Sequence, residues 1–331
     1  WQCVQYEAEH TLSAGSLEPV KLGKPNSPLR KEEVCLYGTD CASAGKLPTN
    51  TRYVRVSPDG MPLQSGVASG EARISVPDGG YVLLGTGQAA KWLQDAVDAE
   101  SRFELTSRDV LVKTGDLGDM HQAIFVNPSN PEVKKYVLSI IEEICSRYDV
   151  AGIVLDRMRY PNLYTDFSED TRRAFEEQIG SEVGNWPRDI LARTAFEKDG
   201  FARGPLFKDW LKFRARTMRD FLSEARAVVK AAKPQARLGI YVGSWYPVYY
   251  DVGVNWGSQR NVCDYEWWPE GYETTGYADQ VDFICTGCYY EHASRSDALA
   301  AGQPERMSVE ASAQESMNAV KDDTFVYASL Y

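Results

Sequence analysis

The sequence predicts an α/β fold: a TIM-like (β/α)8 barrel, incomplete within this chain, carrying a β-rich insertion. Three observations lead there. The first is Asp149-Val-Ala-Gly-Ile-Val-Leu-Asp-Arg-Met-Arg-Tyr-Pro161, which is apolar through Ile153-Val154-Leu155 and then stops on Asp156, Arg157, Arg159 and Tyr160. An unbroken apolar run reads as a strand buried on both faces, and Pro161 ends its pairing. The second is that Leu238-Gly-Ile-Tyr-Val-Gly-Ser-Trp-Tyr-Pro247 and Val281-Asp-Phe-Ile-Cys-Thr-Gly-Cys-Tyr-Tyr-Glu291 repeat that design. Polar and aromatic strand ends are where a (β/α) barrel carries its chemistry. The third is the alternation of strand and helix patterns from residue 121 onward, since crossover helices produce a parallel sheet. No Gly-rich phosphate loop follows any strand, and Gly85-Thr-Gly87 lacks a third glycine, so a nucleotide fold is disfavoured.

Along the chain, residues 1–50 read as an irregular, loop-rich segment opening on a short strand at Trp1–Tyr6. Residues 51–118 read as a small β-rich inserted subdomain. Tyr53–Val56 and Arg73–Val76 alternate, Pro58-Asp-Gly60 is a turn, a helix spans Gln88 to Ala99, and Arg108–Lys113 is a last strand. Residues 119–331 form the barrel portion. Ala123–Val126 is a short strand. Asn130 caps a helix running to about Tyr148, with Pro131 at its first position. Ser168 caps a helix that Gly180 stops, and a long helix spans Pro205 to Ala232 with Trp210, Phe213, Thr217, Phe221, Ala225 and Val228 on its apolar stripe. Met307–Glu310 is a short strand or turn before a helix, and Thr324–Tyr331 is a final strand. That makes four good barrel strands where eight are needed, so the barrel is incomplete or some of its staves lie outside this chain.

Bulk properties narrow the function. A net charge of −11 disfavours nucleic acid or anionic lipid, which attract clustered basic surfaces. No run of apolar residues is long enough for a transmembrane helix, and the chain opens on Trp1 with no signal peptide, so it reads as a processed or partial chain. Seven cysteines are an odd count and do not form a disulfide framework; Cys35 with Cys41 is the most plausible pair, against free thiols. Cys285 and Cys288 sit three apart in a strand, on opposite faces, which argues against a redox or zinc pair. His10, His121 and His292 have no ligand spacing, so neither a metal nor a cofactor is expected. Of the 19 tyrosines and 8 tryptophans, many cluster between Tyr241 and Tyr290, where rings with polar tips suit a sugar cleft or simply fill a core.

Asn127-Pro-Ser-Asn-Pro-Glu-Val133, followed by Arg147-Tyr-Asp-Val-Ala-Gly-Ile-Val-Leu-Asp-Arg-Met-Arg-Tyr-Pro161, resembles the glycosyl-hydrolase-like family 10. That family's strand usually carries a second Asp where this chain has Ala151, a departure that leaves Asp156 in place. Trp186–Ile190, Gly204–Trp210, Gly243–Tyr250, Val254–Trp256 and Thr286–Tyr290 look like a Bacteroidetes branch of it. The resemblance covers about residues 121–331. It implies a TIM-like barrel that begins before Trp1 and continues past Tyr331, export to the periplasm or outer-membrane surface, and hydrolysis of glycosidic bonds in a cell-wall or other polysaccharide. Val76–Ala90 is also similar to a segment of phosphodiester glycosidase-like domains.

Glycoside hydrolysis usually needs two carboxyl groups, one an acid and one a nucleophile or base. Asp156 is the first candidate, as nucleophile or charge stabiliser with Arg159 nearby; the alternative is a structural ion pair at a strand end. For the second carboxyl, Glu310 at the end of a short apolar segment is preferred, then Glu291, with Asp264 and Glu266 behind them. Arg159, Tyr160, Trp245, Tyr246, Trp256, Tyr289 and Tyr290 are the candidate sugar-binding residues, with core packing as the alternative for the aromatics. A non-catalytic carbohydrate-binding barrel in a surface glycan-uptake complex is the rival to the hydrolase.

Overall fold

The computed structural model describes residues 1–23, 25–39, 41–42, 47–117, 123–194, 196–197 and 199–330; His121, Tyr331 and the side chain of Cys41 lie outside them. The chain divides into two compact units. The first comprises Trp1–Gln5, Val112–Gly184 and Pro205–Tyr331, and the second Tyr6–Leu111 and Asn185–Gly204.

The first unit is built on a four-stranded parallel sheet whose order follows the chain: β1 (Gly152–Asp156), β2 (Arg237–Gly243), β3 (Phe283–Gly287) and β4 (Phe325–Ser329). The register sets Asp156 beside Tyr241, Tyr241 beside Cys285, and Cys285 beside Tyr327. Alternation therefore puts these four on one face, with Val154, Phe283 and Phe325 two residues earlier on the same side. The residues between them, Ile240 and Ile284, are fully buried on the other face. The sheet is not closed into a barrel. Among the described residues β1 and β4 are its edges, and the first face carries exposed Val154, Phe325 and Tyr327.

The helices start and stop as their residues dictate. In α1 (Pro131–Arg147) the Asn130 side chain accepts from the Glu132 and Val133 amides at 3.0 and 3.2 Å, and Pro131 needs no donor partner there. In α2 (Glu169–Ile179) Ser168 caps the Thr171 amide, and Gly180 ends the helix at φ +73°. The long α3 (Phe207–Ala232) buries Trp210, Phe213, Met218, Leu222 and Ala225. Trp210 is the centre of that core: Phe167 stacks on it at 5.0 Å and Phe175 meets it edge-on at 5.1 Å. Two shorter helices, α4 (Arg295–Ala300) and α5 (Val309–Val320), lie between β3 and β4. No helix of the described residues is long and apolar enough to cross a membrane.

The second unit is rich in β-strands, most of them paired antiparallel. One sheet runs in the order Val20–Lys21, Val4–Ala14, Phe103–Lys113, and another in the order Cys35–Tyr37, Tyr81–Gly85, Leu47–Val56, Pro62–Gly70. The helix Gly87–Asp98 packs Ala89, Leu93 and Ala96 into a core with Leu12, Leu36, Val54 and Leu83.

Four expectations are corrected. Residues 1–50 are not mainly loop: Val4–Ala14 is an eleven-residue strand that buries Tyr6, His10, Leu12 and Ala14 in alternation, a pattern its interleaved Glu7 and Glu9 obscure. The inserted unit is not confined to residues 51–118, because it also takes in residues 185–204. Ala123–Val126 makes only an isolated antiparallel bridge, Val126 with Gln2, since the Phe125 carbonyl accepts from Cys3 rather than from a parallel neighbour. Met307–Glu310 is not a strand: Glu305–Met307 is a 3-10 turn, Ser308 caps α5, and Glu310 lies in that helix's first turn. Cys35 is a buried free thiol.

Candidate functional site

The open face of the parallel sheet ends in a band of acid and aromatic groups. Asp156 is the last residue of β1 and is exposed. The next residue, Arg157, sits at φ +52°, a left-handed conformation that costs a non-glycine residue roughly 1 kcal/mol. That reversal turns the chain off the strand and brings the Arg159 amide back to the Arg157 carbonyl at 2.8 Å. Backbone of this kind concentrates at functional sites, which draws attention to its neighbour Asp156.

Around Asp156 the sheet supplies phenols. Tyr241 is its register partner on β2, and the Tyr241 and Tyr289 hydroxyls hydrogen-bond to each other. That bond, then burial and the charge of Asp156, raise the Tyr289 pKa. Tyr249 is buried, which raises its pKa; it accepts from the Gly243 amide at 2.9 Å and feels both Asp156 and Arg159. The Trp245 ring packs on Tyr249 at 4.3 Å and stays 36% exposed.

Two glycines let the rings fold back over the sheet end. A Cβ at Gly243 would stand 2.0 Å from Trp245 Nε1, and one at Gly287 would stand 3.1 Å from the Tyr289 ring. Each strand thus ends on Gly-x-aromatic: Gly243-Ser-Trp245 and Gly287-Cys-Tyr289. The missing side chain is what admits the indole.

Beneath the band lies fully buried Arg214 from α3, whose pKa burial lowers to about 10. Its guanidinium donates to the carbonyls of Asn162 at 2.6 Å, Asp251 at 3.4 Å and Tyr250 at 3.5 Å, and lies over the Tyr160 ring at 4.4 Å. It joins the chain after β1 to the chain after β2. Asp166 is also buried, which raises its pKa, and it accepts from the Val4 amide and from Ser168 and Thr171 at 2.6 and 2.5 Å. These two ionised or ionisable groups hold the loops; neither is exposed to a ligand.

Asp156, Trp245 and Tyr289 thus gather at one sheet end, and half-buried Tyr290 follows directly. Arg159 is close, but it makes no ion pair with Asp156: it donates to the Tyr160 and Pro161 carbonyls at 3.2 and 3.5 Å and lies over Phe125. The alternative reading of Asp156, a strand-end ion pair with Arg159, has no such pair among the described residues. Tyr160, Tyr246 and Trp256 are corrected from sugar-binding to core positions. Tyr160 is 1% exposed beneath Arg214, and Tyr246 donates to Asn255 at 2.8 Å and meets buried Trp256 edge-on. Tyr246 opens the 3-10 turn Tyr246–Val252 that follows β2 and is buried there, whereas Trp245, at the turn's N-cap, stays partly exposed. Glu310 is not on the sheet face: it accepts from the Arg295 amide at 3.0 Å and pairs with its guanidinium at 3.4 Å. Glu291 is exposed in the loop after β3. The site residues missed from sequence are Tyr241, Tyr249 and Tyr327, together with supporting Arg214. Tyr241 and Tyr327 could have been found by alternation, as polar-tipped residues beside buried Ile240 and half-buried Val326.

Comparison with known proteins places the chain. An S-layer-related protein of Niallia circulans is 41% identical over 180 residues, covering 50% of this chain and 11% of that protein, so the chain spans a small part of this curated relative. Among solved structures, the glycoside hydrolase domain of PgaB (BpsB) from Bordetella bronchiseptica is 12% identical with a TM-score of 0.42, covering 65% of this chain and 52% of that one. The β-galactosidase of Bacillus circulans sp. alkalophilus is 14% identical with a TM-score of 0.31, covering 52% and 26%. The model of the family described as glycosyl hydrolase-like 10 matches residues 87–315, most of the parallel-sheet unit, and the chain belongs to that family.

Proposed function

We propose that this chain is the catalytic portion of an exported glycoside hydrolase acting on a polysaccharide or cell-wall glycan, with Asp156 as nucleophile or charge stabiliser. The observation that carries the reading is the setting of Asp156. It is an exposed carboxylate at the C-terminal end of a parallel strand, beside Tyr241, Tyr289 and the Trp245 ring. An exposed carboxylate with no cation bound to it can face a sugar carbon that gains positive charge as its glycosidic bond breaks. The Trp245 indole and the Tyr289 ring offer flat apolar faces to pyranose rings, and the phenol hydroxyls can hydrogen-bond sugar hydroxyls. Glu291, in the loop after β3, is our choice for the proton-donating acid; Glu310 is set aside because Arg295 already occupies it.

A second reading, a carbohydrate-binding module without turnover, is favoured by one observation: Glu310, the acid preferred from sequence as the partner of Asp156, is paired with Arg295 in the first turn of α5. A panel of soluble and insoluble glycans assayed for new reducing ends separates the two. Release from at least one glycan by the wild type supports the hydrolase. Retention on a glycan with no release from any would leave the binder.

A further inference from the structure

A second cavity, of about 430 Å³, lies between the 3-10 turn Glu305–Met307, α5 and the loop 261–265. It shares no residue with the band around Asp156. We propose that it is a second saccharide site, taking one or two neutral hydroxylated sugar rings; the proposal shares a ligand class with the reading above and does not depend on hydrolysis.

Its chemistry selects that ligand. Arg306 and Glu315 both line the cavity, and neither has a hydrogen bond or an ion pair among the described residues. Opposite charges thus line one cavity without forming an ion pair with each other, and burial raises the Glu315 pKa while the charge of Arg306 lowers it. A ligand with donors and acceptors on adjacent atoms can bridge the two, which is what vicinal hydroxyls offer. Gln314 donates to Asn318 at 3.1 Å, which leaves the Asn318 amide hydrogens and the Gln314 oxygen for a ligand. Arg295 is tied to Glu310, so Arg306 is the one uncommitted guanidinium of the cavity, balanced by Glu305 and Glu315. That balance disfavours phosphate or another strong anion. Alanines 311 and 319 are its only aliphatic lining residues, too little for an acyl chain or an apolar peptide anchor.

On the loop side Tyr265 lines the cavity, with Asn261, Cys263 and buried Tyr246. Half-buried Tyr265 stacks on Trp267 at 5.5 Å and 23°, and Trp267 stacks on Tyr250 at 4.4 Å and 29°. Trp267 is fixed in turn by its Nε1 donating to the Pro247 carbonyl at 3.1 Å. The column is rigid, and Tyr265 is the ring at its cavity end. A pre-set ring against which a sugar lays its apolar face loses little side-chain freedom on binding.

The test is saturation-transfer NMR on the full chain with three probes: cellobiose, N,N′-diacetylchitobiose and digalacturonic acid. Cellobiose or diacetylchitobiose should show transfer in the wild type and in Asp156→Asn and Trp245→Ala. The same probe should bind about tenfold more weakly in Tyr265→Ala, Arg306→Gln and Glu315→Gln, about 1.4 kcal/mol. Arg306 is exposed and Glu315→Gln is nearly isosteric, so those two variants report binding even where Tyr265→Ala destabilises the chain. No transfer from any probe overturns the proposal, and so does transfer from digalacturonic acid alone. Transfer lost in Trp245→Ala but kept in all three cavity variants also overturns it, while leaving the Asp156 reading intact.

Discussion

Replacing Gly243 by alanine should empty the site of its indole while leaving the fold in place. The new Cβ would stand 2.0 Å from Trp245 Nε1, against an ordinary contact of roughly 3.5 Å, so the ring must retreat by about 1.5 Å. It then leaves Tyr249, on which it packs at 4.3 Å, a contact worth about 1 kcal/mol. Removing a glycine from a strand returns about 0.5–1 kcal/mol, because the unfolded chain has less freedom to lose. The two nearly cancel, so the urea midpoint should shift little. Glycan affinity or KM should worsen by about tenfold, since a displaced platform no longer meets the sugar face. The assay pairs urea unfolding with glycan binding, and Trp245→Ala serves as the comparison. If Gly243→Ala binds and turns over glycan like the wild type, the indole does not sit where the argument needs it. A large loss of stability would show instead that the indole cannot move aside.

Three further perturbations bear on the structure. Arg214→Met should cost about 3 kcal/mol in urea unfolding followed by tryptophan fluorescence, because it removes the buried guanidinium that donates to the carbonyls of Asn162, Tyr250 and Asp251; an unchanged midpoint would contradict that role. Glu315 has a folded-state pKa raised by burial, so its contribution is fully present below its ordinary pKa and is lost as pH rises through the raised value. Glu315→Gln should therefore be more stable than the wild type at about pH 7, with the gap closing toward about pH 4, and a gap that widens in acid would refute the sign. Phe325→Lys, on an edge strand where Phe325 is 74% exposed, should reduce aggregation and hydrophobic-dye binding and change stability by less than about 0.5 kcal/mol; undiminished dye binding would mean that the exposed apolar surface lies elsewhere.

The elements that sequence reasoning located well are those whose signal is local. The Asn130-Pro131 and Ser168 caps, the Gly180 stop and the apolar cores of the four parallel strands are all written within a few residues of where they act. What it missed depends on distant partners. The strand Val4–Ala14 looks polar because only alternate residues are buried, and Met307–Glu310 looks like a strand because the capping role of Ser308 shows only once the Ala311 amide turns back to it. At the site, Asp156 was found because a carboxylate closing an apolar strand is visible on its own. Tyr160, Tyr246 and Trp256 were misjudged because composition shows an aromatic but not the direction in which a turn aims it. Arg214 gives no signal, since an arginine on a helix reads as a solvated one until three loop carbonyls converge on it.

The role of Asp156 is the centre of the account. Asp156→Asn keeps the shape of the side chain and removes its charge, and among the described residues Asp156 has no ion pair whose loss could unsettle the fold. On a glycan that the wild type cleaves, the variant should bind within a few-fold of wild-type affinity while kcat falls by about a thousandfold or more, the scale on which a charged transition-state stabiliser acts. Wild-type turnover by Asp156→Asn on that glycan would contradict the claim outright.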